Sequence, residues 1–304
     1  MRIAVIDLGT NTFILLIAER QNGNIVPIYQ QEAFVKLGEG VDQYKILKQS
    51  AIERGLAQLA VFSEIAATHQ VESLHAAGTS AFRDALNCSD FIGQAQERLG
   101  LRVDVLAGEL EATYSLQGAI SNKPDLPQPV YMLDIGGGST ELCGQLHNDN
   151  LHRFSIDVGS VRMTERYLRH DPPTTQELQQ LRHAITQKWQ QAAGKFDLRS
   201  ATLLGVDGTV TTLAMMALGL EKYDSKQIDG TLLQHTTIAH LVEKLAETPL
   251  AIRQTFKGLA PQRADVIVAG TVILDQIMRL SHSRHIMVSD RGWRFGLAQK
   301  ILTG

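Results

Sequence analysis

One pattern constrains this chain more than any other, and it is present twice: an apolar strand that ends in Asp, a turn of Gly, Ser, Thr and Asn, and a second apolar strand. The first copy spans Arg2 to Ile17 around Asp7-Leu-Gly9-Thr10-Asn11-Thr12. The second spans Val130 to Cys143 around Asp134-Ile-Gly136-Gly137-Gly138-Ser139-Thr140-Glu141. Small residues after each Asp leave backbone N–H groups able to point at an anion, with a carboxylate beside them for a metal ion. The two aspartates lie 127 residues apart, which predicts two similar halves facing a shared phosphate.

With 304 residues, 44% of them hydrophobic and 20% charged, the chain can build two domains with cores of their own. Its net charge of −3 provides no general basic field, so a polyanion has to be gripped locally by turns, a metal ion and a few arginines. A nucleic-acid partner is not expected. Two cysteines without paired spacing, Cys88 and Cys143, argue against a disulfide framework or a zinc site. No signal-peptide pattern and no membrane-length apolar run is read, so a cytoplasmic protein is the expectation.

Along the chain, Asn22-Gly23-Asn24 reads as a turn before a strand at Ile25–Tyr29. Ser50-Ala-Ile-Glu53 reads as a capping box opening a helix with Ile52, Leu56, Leu59 and Phe62 on one face. A strand near Ser73–Ala77 reaches Gly78-Thr79-Ser80 and a helix carrying Arg83, and a strand at Leu101–Leu106 precedes the helix Glu109–Ala119. Pro124, Pro127 and Pro129 mark the domain boundary, giving domains 1–124 and 125–304. The second half repeats the plan: a hairpin from Glu141 turning at His147–Asn150, a helix over Thr175–Ala193, a strand at Ala201–Val206, and a third small-residue turn, Asp207-Gly208-Thr209. A helical C-terminal third contains the apolar Ala264–Leu280 and a strand at His285–Val288.

Neither Gly-rich turn opens a helix, which excludes a dinucleotide fingerprint, and neither is followed by the Gly-Lys-Ser/Thr of a P-loop. Asp134 and Glu141 are candidates for Mg²⁺, an ion that takes one or two carboxylates and shares its other positions with water and phosphates. Glu141 alone could equally be a solvated strand residue. Arg83 can donate a fork of hydrogen bonds to phosphate, although an isolated Arg is more often a surface ion-pair partner. Glu109 and Glu111 lie in a first helical turn, where carboxylates also favour the helix dipole, the plainer role for Glu109.

The chain resembles the exopolyphosphatase/guanosine pentaphosphate phosphohydrolase (Ppx/GppA) family of the actin and hexokinase superfamily. Besides the two Asp turns, the resemblance rests on Leu37-Gly-Glu-Gly-Val41, Gly78-Thr-Ser-Ala-Phe-Arg-Asp-Ala-Leu-Asn87, Val158-Gly-Ser-Val-Arg-Met-Thr-Glu165, Gly205-Val-Asp-Gly-Thr-Val-Thr-Thr-Leu-Ala214, Arg263-Ala-Asp-Val-Ile-Val-Ala-Gly270 and Val288-Ser-Asp-Arg-Gly292. It implies an α/β fold of two ribonuclease-H-like (actin-like ATPase) domains with an interdomain cleft, a homodimer, and hydrolysis of terminal phosphoryl groups with Mg²⁺ or another divalent cation such as Mn²⁺. It also implies that Glu111 is the catalytic carboxylate, that Asp134 and Glu141 hold the metal, and that Asn11, Thr12, Arg83, Gly136, Gly137, Gly138, Ser139, Gly208 and Thr209 bind phosphate.

Two positions depart from the family pattern: Leu110 replaces the first of a Glu pair, and Thr113 replaces an Arg, implying weaker phosphate binding or a shifted chain-length preference. Long members carry a further helical domain that this chain, ending at Gly304, does not reach, so short polyphosphate is the expected substrate. Hydrolysis of pppGpp to ppGpp is the alternative. A kinase of the same superfamily and a non-catalytic phosphate or alarmone sensor are further readings, since fold does not fix reaction.

Overall fold

The computed structural model describes residues 1–145, 151–193 and 198–303. The chain divides into two units, Met1–Asn122 with Trp293–Gly304, and Lys123–Gly292.

Unit 1 begins with an antiparallel meander of β1 (Arg2–Leu8), β2 (Thr12–Gln21) and β3 (Asn24–Phe34). The helices α1 (Val41–Tyr44) and α2 (Gln49–Thr68) lead to β4 (Ser73–Gly78), then α3 (Ser80–Asp84), α4 (Cys88–Leu99), β5 (Val103–Val105) and α5 (Gly108–Ile120). β4 joins β1 in parallel, giving the sheet order β3-β2-β1-β4-β5. β1 reads as an unbroken apolar run because both faces of the sheet are covered. Ala4, Ile6 and Leu8 share one core with Leu56, Leu59 and Phe62 of α2, whereas Ile3 and Val5 share another with Tyr114 of α5.

Unit 2 repeats the meander with β6 (Val130–Ile135), β7 (Thr140–Gln145) and β8 (Leu151–Ile156). It continues through α6 (Ser160–Tyr167), α7 (Thr175–Ala193), β9 (Thr202–Val206), α8 (Asp207–Leu218), α9 (Ser225–Ile228) and β10 (Leu232–Gln234). α10 (His235–Glu247), α11 (Leu250–Arg253), α12 (Ile267–Leu280) and β11 (His285–Val288) complete it. The order β8-β7-β6-β9-β11 reproduces that of the first sheet, with β10 added antiparallel outside β11. Tyr131, Leu133 and Ile135 of β6 share a core with Leu181 and Ile185 of α7 and with Ile273 and Ile277 of α12.

Three sequence expectations change. The last helix, α13 (Trp293–Thr303), belongs to unit 1 and not to a domain 125–304, because Trp293, Phe295, Ala298 and Leu302 complete the core formed by Ile3 and Val5. Ser50 does not cap α2: the N-cap is Lys48, and Gln49 and Ser50 lie inside the first turn. The short edge strand β10 falls in a stretch expected to be mostly helical, where no strand was read. The expected turn at His147–Asn150 lies outside the described residues.

Candidate active site

The two repeated turns close identically. Gly9 N donates to Thr12 O at 3.0 Å, and Gly136 N donates to Ser139 O at 3.0 Å. Beyond that hydrogen bond they diverge, and the expectation of a carboxylate–metal site built twice is corrected. In unit 1, Asp7 stands opposite Ile14, and its Oδ2 accepts from Trp293 Nε1 and Arg294 Nη1, both at 3.0 Å. A guanidinium from α13 therefore supplies the cation beside Asp7. In unit 2 the same register places Asp134 opposite Glu141.

The Gly136–Ser139 turn is shaped by the start of α6. Ser160 N donates to Gly136 O at 2.9 Å, Val161 N and Arg162 N to Gly137 O at 2.8 and 3.1 Å, and Arg162 Nε to Gly138 O at 2.6 Å. Every peptide in the turn is trans, so each carbonyl is antiparallel to the N–H that follows it. With three successive carbonyls drawn toward α6, the N–H groups of Gly137, Gly138 and Ser139 point the opposite way. Successive N–H groups on one side of a turn can form an anion-binding nest. Gly159 permits the close approach, since a Cβ there would strike the Gly137–Gly138 peptide.

Directly beside the nest, Asp134 and Glu141 are 2% and 1% exposed. Opposed residues on antiparallel strands hold their Cβ atoms roughly 4.5–5.5 Å apart on the same face, and like charges there repel. Glu141 Oε1 accepts from Ser139 Oγ and Ser155 Oγ, each at 2.7 Å. Two buried carboxylates, one of them oriented by two hydroxyls, are oxygen donors suited to a hard divalent cation. Among the described residues no group of three or more His, Cys, Asp or Glu side chains is placed to hold a metal. The donor set thus fits an ion that keeps most of its positions for water and phosphate, and does not fit an all-protein cage.

Unit 1 holds other expected residues, and of these it brings Arg83 to Glu111. Asn11 is buried, and its Nδ2 has no hydrogen-bond partner among the described residues. Thr12 O closes the turn described above. From the short helix α3, Arg83 Nη1 donates to Glu111 Oε2 at 2.6 Å and to Leu106 O at 2.8 Å. Glu111, in the first turn of α5, is 7% exposed, while Leu110 beside it is 43% exposed. Thr113 Oγ1 donates back to Glu109 O at 2.8 Å, a bond inside the helix.

The third small-residue turn begins α8. Asp207 adopts φ 61°, a left-handed conformation uncommon for residues other than Gly, Asn and Asp. Gly208 lies against the Arg263 guanidinium, where a Cβ would collide, and Thr209 Oγ1 donates to Ile135 O at 3.1 Å. Because β9 pairs with β6 so that Val206 stands beside Asp134, this turn lies at the same end of the sheet as the nest. The sequence reading assigned no role to Arg162, Arg263, Trp293 or Arg294. The available signal was a charged residue inside an otherwise apolar or small-residue stretch.

The repeated strand order and the opposed carboxylates define an α/β protein of two related units, the second of which holds a Gly-rich turn beside a buried carboxylate pair. The chain belongs to the Ppx/GppA phosphatase family, whose model matches residues 16–303. It is 31% identical over 288 residues to exopolyphosphatase 2 of Mycobacterium tuberculosis, covering 91% of this chain and 90% of that protein. A solved exopolyphosphatase-like protein superposes with a TM-score of 0.93 at 31% identity, covering 100% of this chain and 99% of its own. An exopolyphosphatase from Cytophaga hutchinsonii superposes with a TM-score of 0.91 at 27% identity, covering 100% and 98%. Among the described residues no helix is long and apolar enough to cross a membrane.

Proposed function

We propose that this protein is an exopolyphosphatase that releases terminal orthophosphate from inorganic polyphosphate, with short chains preferred, by metal-assisted attack of water. The observation that carries this reading is the nest of Gly137, Gly138 and Ser139 N–H groups adjoining the opposed carboxylates of Asp134 and Glu141. Relatives named exopolyphosphatase support the choice of substrate. With a net charge of −3, the chain attracts a long polymer no better than a short one, so binding energy is concentrated at the chain end.

Asp134 and Glu141 would hold Mg²⁺ or Mn²⁺, which when bound neutralises charge on the phosphoryl oxygens. In unit 2 the nest, Gly208 and Thr209 bind and orient those oxygens, and Asn11 Nδ2 and Thr12 are the phosphate donors that unit 1 offers. A buried amide donor without a partner costs roughly 1–3 kcal/mol, and an accepting phosphate oxygen offsets that cost. Glu111 takes the proton from the attacking water, a contribution of typically 10² to 10⁴-fold. Arg83, which pairs with Glu111, can move one or more of its N–H donors to phosphate and so leave the carboxylate basic when substrate arrives.

Orthophosphate release from polyphosphate by the purified protein, with divalent cation and with chelator, tests the reading. Phosphate transfer to an acceptor instead of water would mark a kinase, and tight phosphate binding without turnover would mark a sensor.

A further inference from the structure

α6 begins against the Gly-rich turn and carries a buried charge that the proposed chemistry does not use. Arg162 is 4% exposed, and its Nε donates to Gly138 O at 2.6 Å. Removing a guanidinium from water is costly unless hydrogen bonds compensate, and this one spends its Nε–H on a carbonyl of the turn. The other two carbonyls of the turn are already held by backbone N–H groups of α6. Gly136 O accepts from Ser160 Oγ at 3.3 Å as well as from a backbone N–H, whereas among the described residues Gly138 O accepts from a side chain alone.

That carbonyl sets the direction of the Ser139 N–H, its partner across a trans peptide. Rotation of the Gly138–Ser139 peptide changes ψ of residue 138 and φ of residue 139; glycine leaves the first unrestricted, and the Arg162 Nε–H opposes the rotation by holding the carbonyl. In the rotated form a carbonyl oxygen faces the anion where an N–H should be, and attraction becomes repulsion.

We propose that Arg162 is a positioning residue of the phosphate site: by holding the Gly138 carbonyl, its Nε–H keeps the Ser139 N–H turned toward the bound phosphoryl group. The inference rests on the reading of this turn as the phosphate site. It assigns the effect to a donor at one atomic position and not to the positive charge. Gln places Nε2 where Arg has Nε, the same number of bonds from Cα, without the charge. Lys keeps the charge but has a methylene at that position, and Met has neither donor nor charge.

The experiment compares wild type with Arg162→Gln, Arg162→Lys and Arg162→Met. KM and kcat are measured on short polyphosphate, orthophosphate affinity by calorimetric titration, and folding by thermal melting. The expected result is that Lys and Met raise KM and the phosphate dissociation constant at least roughly tenfold with a smaller change in kcat, while Gln stays within about threefold of wild type. Rescue by Lys and not by Gln would overturn the proposal in favour of charge, and so would equal loss in all three variants or no change in any. If Arg162→Met fails to fold, the Gln and Lys pair decides. If wild type binds orthophosphate but hydrolyses no polyphosphate, the functional reading fails, and the order of phosphate affinities still decides the role of Arg162. If wild type binds no phosphate, both fall.

Discussion

At the residue scale, the pairing of Glu111 with Arg83 separates two kinds of loss. Glu111→Gln keeps the side-chain volume and an acceptor for Arg83 but removes basicity, so kcat should fall by at least roughly 10²-fold with KM little changed. Near wild-type turnover would remove Glu111 from the base role. Glu141→Gln keeps an acceptor for the Ser139 and Ser155 hydroxyls yet ends the like-charge opposition with Asp134. Divalent cation should then no longer raise the melting temperature, whereas in chelator the variant should melt no lower than wild type. A Mg²⁺-induced rise as large as that of wild type would place the ion elsewhere. The sequence singled out Asp134 and Glu141 beside a recognisable turn and Glu111 through the family resemblance, and the structure sets the first two opposite each other and the third against Arg83. Arg162 was not singled out, since its meaning depends on which carbonyl the helix start reaches, and short-range patterns do not report that contact.

At the element scale, α13 shows how a terminal segment can complete the core of the unit that the chain left long before. Arg294 and Asp7 are 4% and 6% exposed, and Arg294→Met would leave the Asp7 carboxylate buried without its guanidinium. The expected loss is about 3–5 kcal/mol in the unfolding of unit 1, read by denaturant titration of the variant. A loss below about 1 kcal/mol would show that Trp293 suffices. The start of α7 offers a pH test. Thr174 and Glu177 form a reciprocal capping box, Glu177 N donating to Thr174 Oγ1 at 3.2 Å and Thr174 N donating to Glu177 Oε2 at 2.8 Å. Burial alone would raise the Glu177 pKa, but hydrogen bonds from His170 and from the Thr174 and Arg169 backbone outweigh it and lower the value from 4.5 to about 2. A carboxyl lowered on folding stabilises fully above its unfolded pKa and loses that contribution as pH falls through the folded one. The melting difference between wild type and Glu177→Gln should therefore be constant above about pH 5 and shrink steadily below pH 4.5. A difference that grows on acidification would refute the assignment. The sequence reading placed its capping box at Ser50–Glu53, where the motif matches but the helix has already begun. Ser/Thr-x-x-Glu is a necessary pattern that tertiary context can leave unused.

At the scale of the whole molecule, the repeated strand order was readable because two Asp turns stand at matching places in two meanders. The segment Trp293–Thr303 was not assignable to unit 1, since nothing local in a helix states which sheet it covers. The two units differ at the shared register position, where Ile14 stands opposite Asp7 and Glu141 opposite Asp134, so the opposed carboxylates occur at this position in the second unit and not in the first. The proposed reaction makes the choice of substrate the most exposed claim, since the same nest and carboxylates would serve any terminal phosphoryl group. The most direct measurement is orthophosphate release from short polyphosphate, long polyphosphate and pppGpp side by side, in one buffer with Mg²⁺ and again with chelator. The expected result is metal-dependent release, with kcat/KM per chain end on short polyphosphate at least equal to that on long polyphosphate and above that on pppGpp. A clear preference for pppGpp over every polyphosphate length, or release indifferent to chelator, would contradict it.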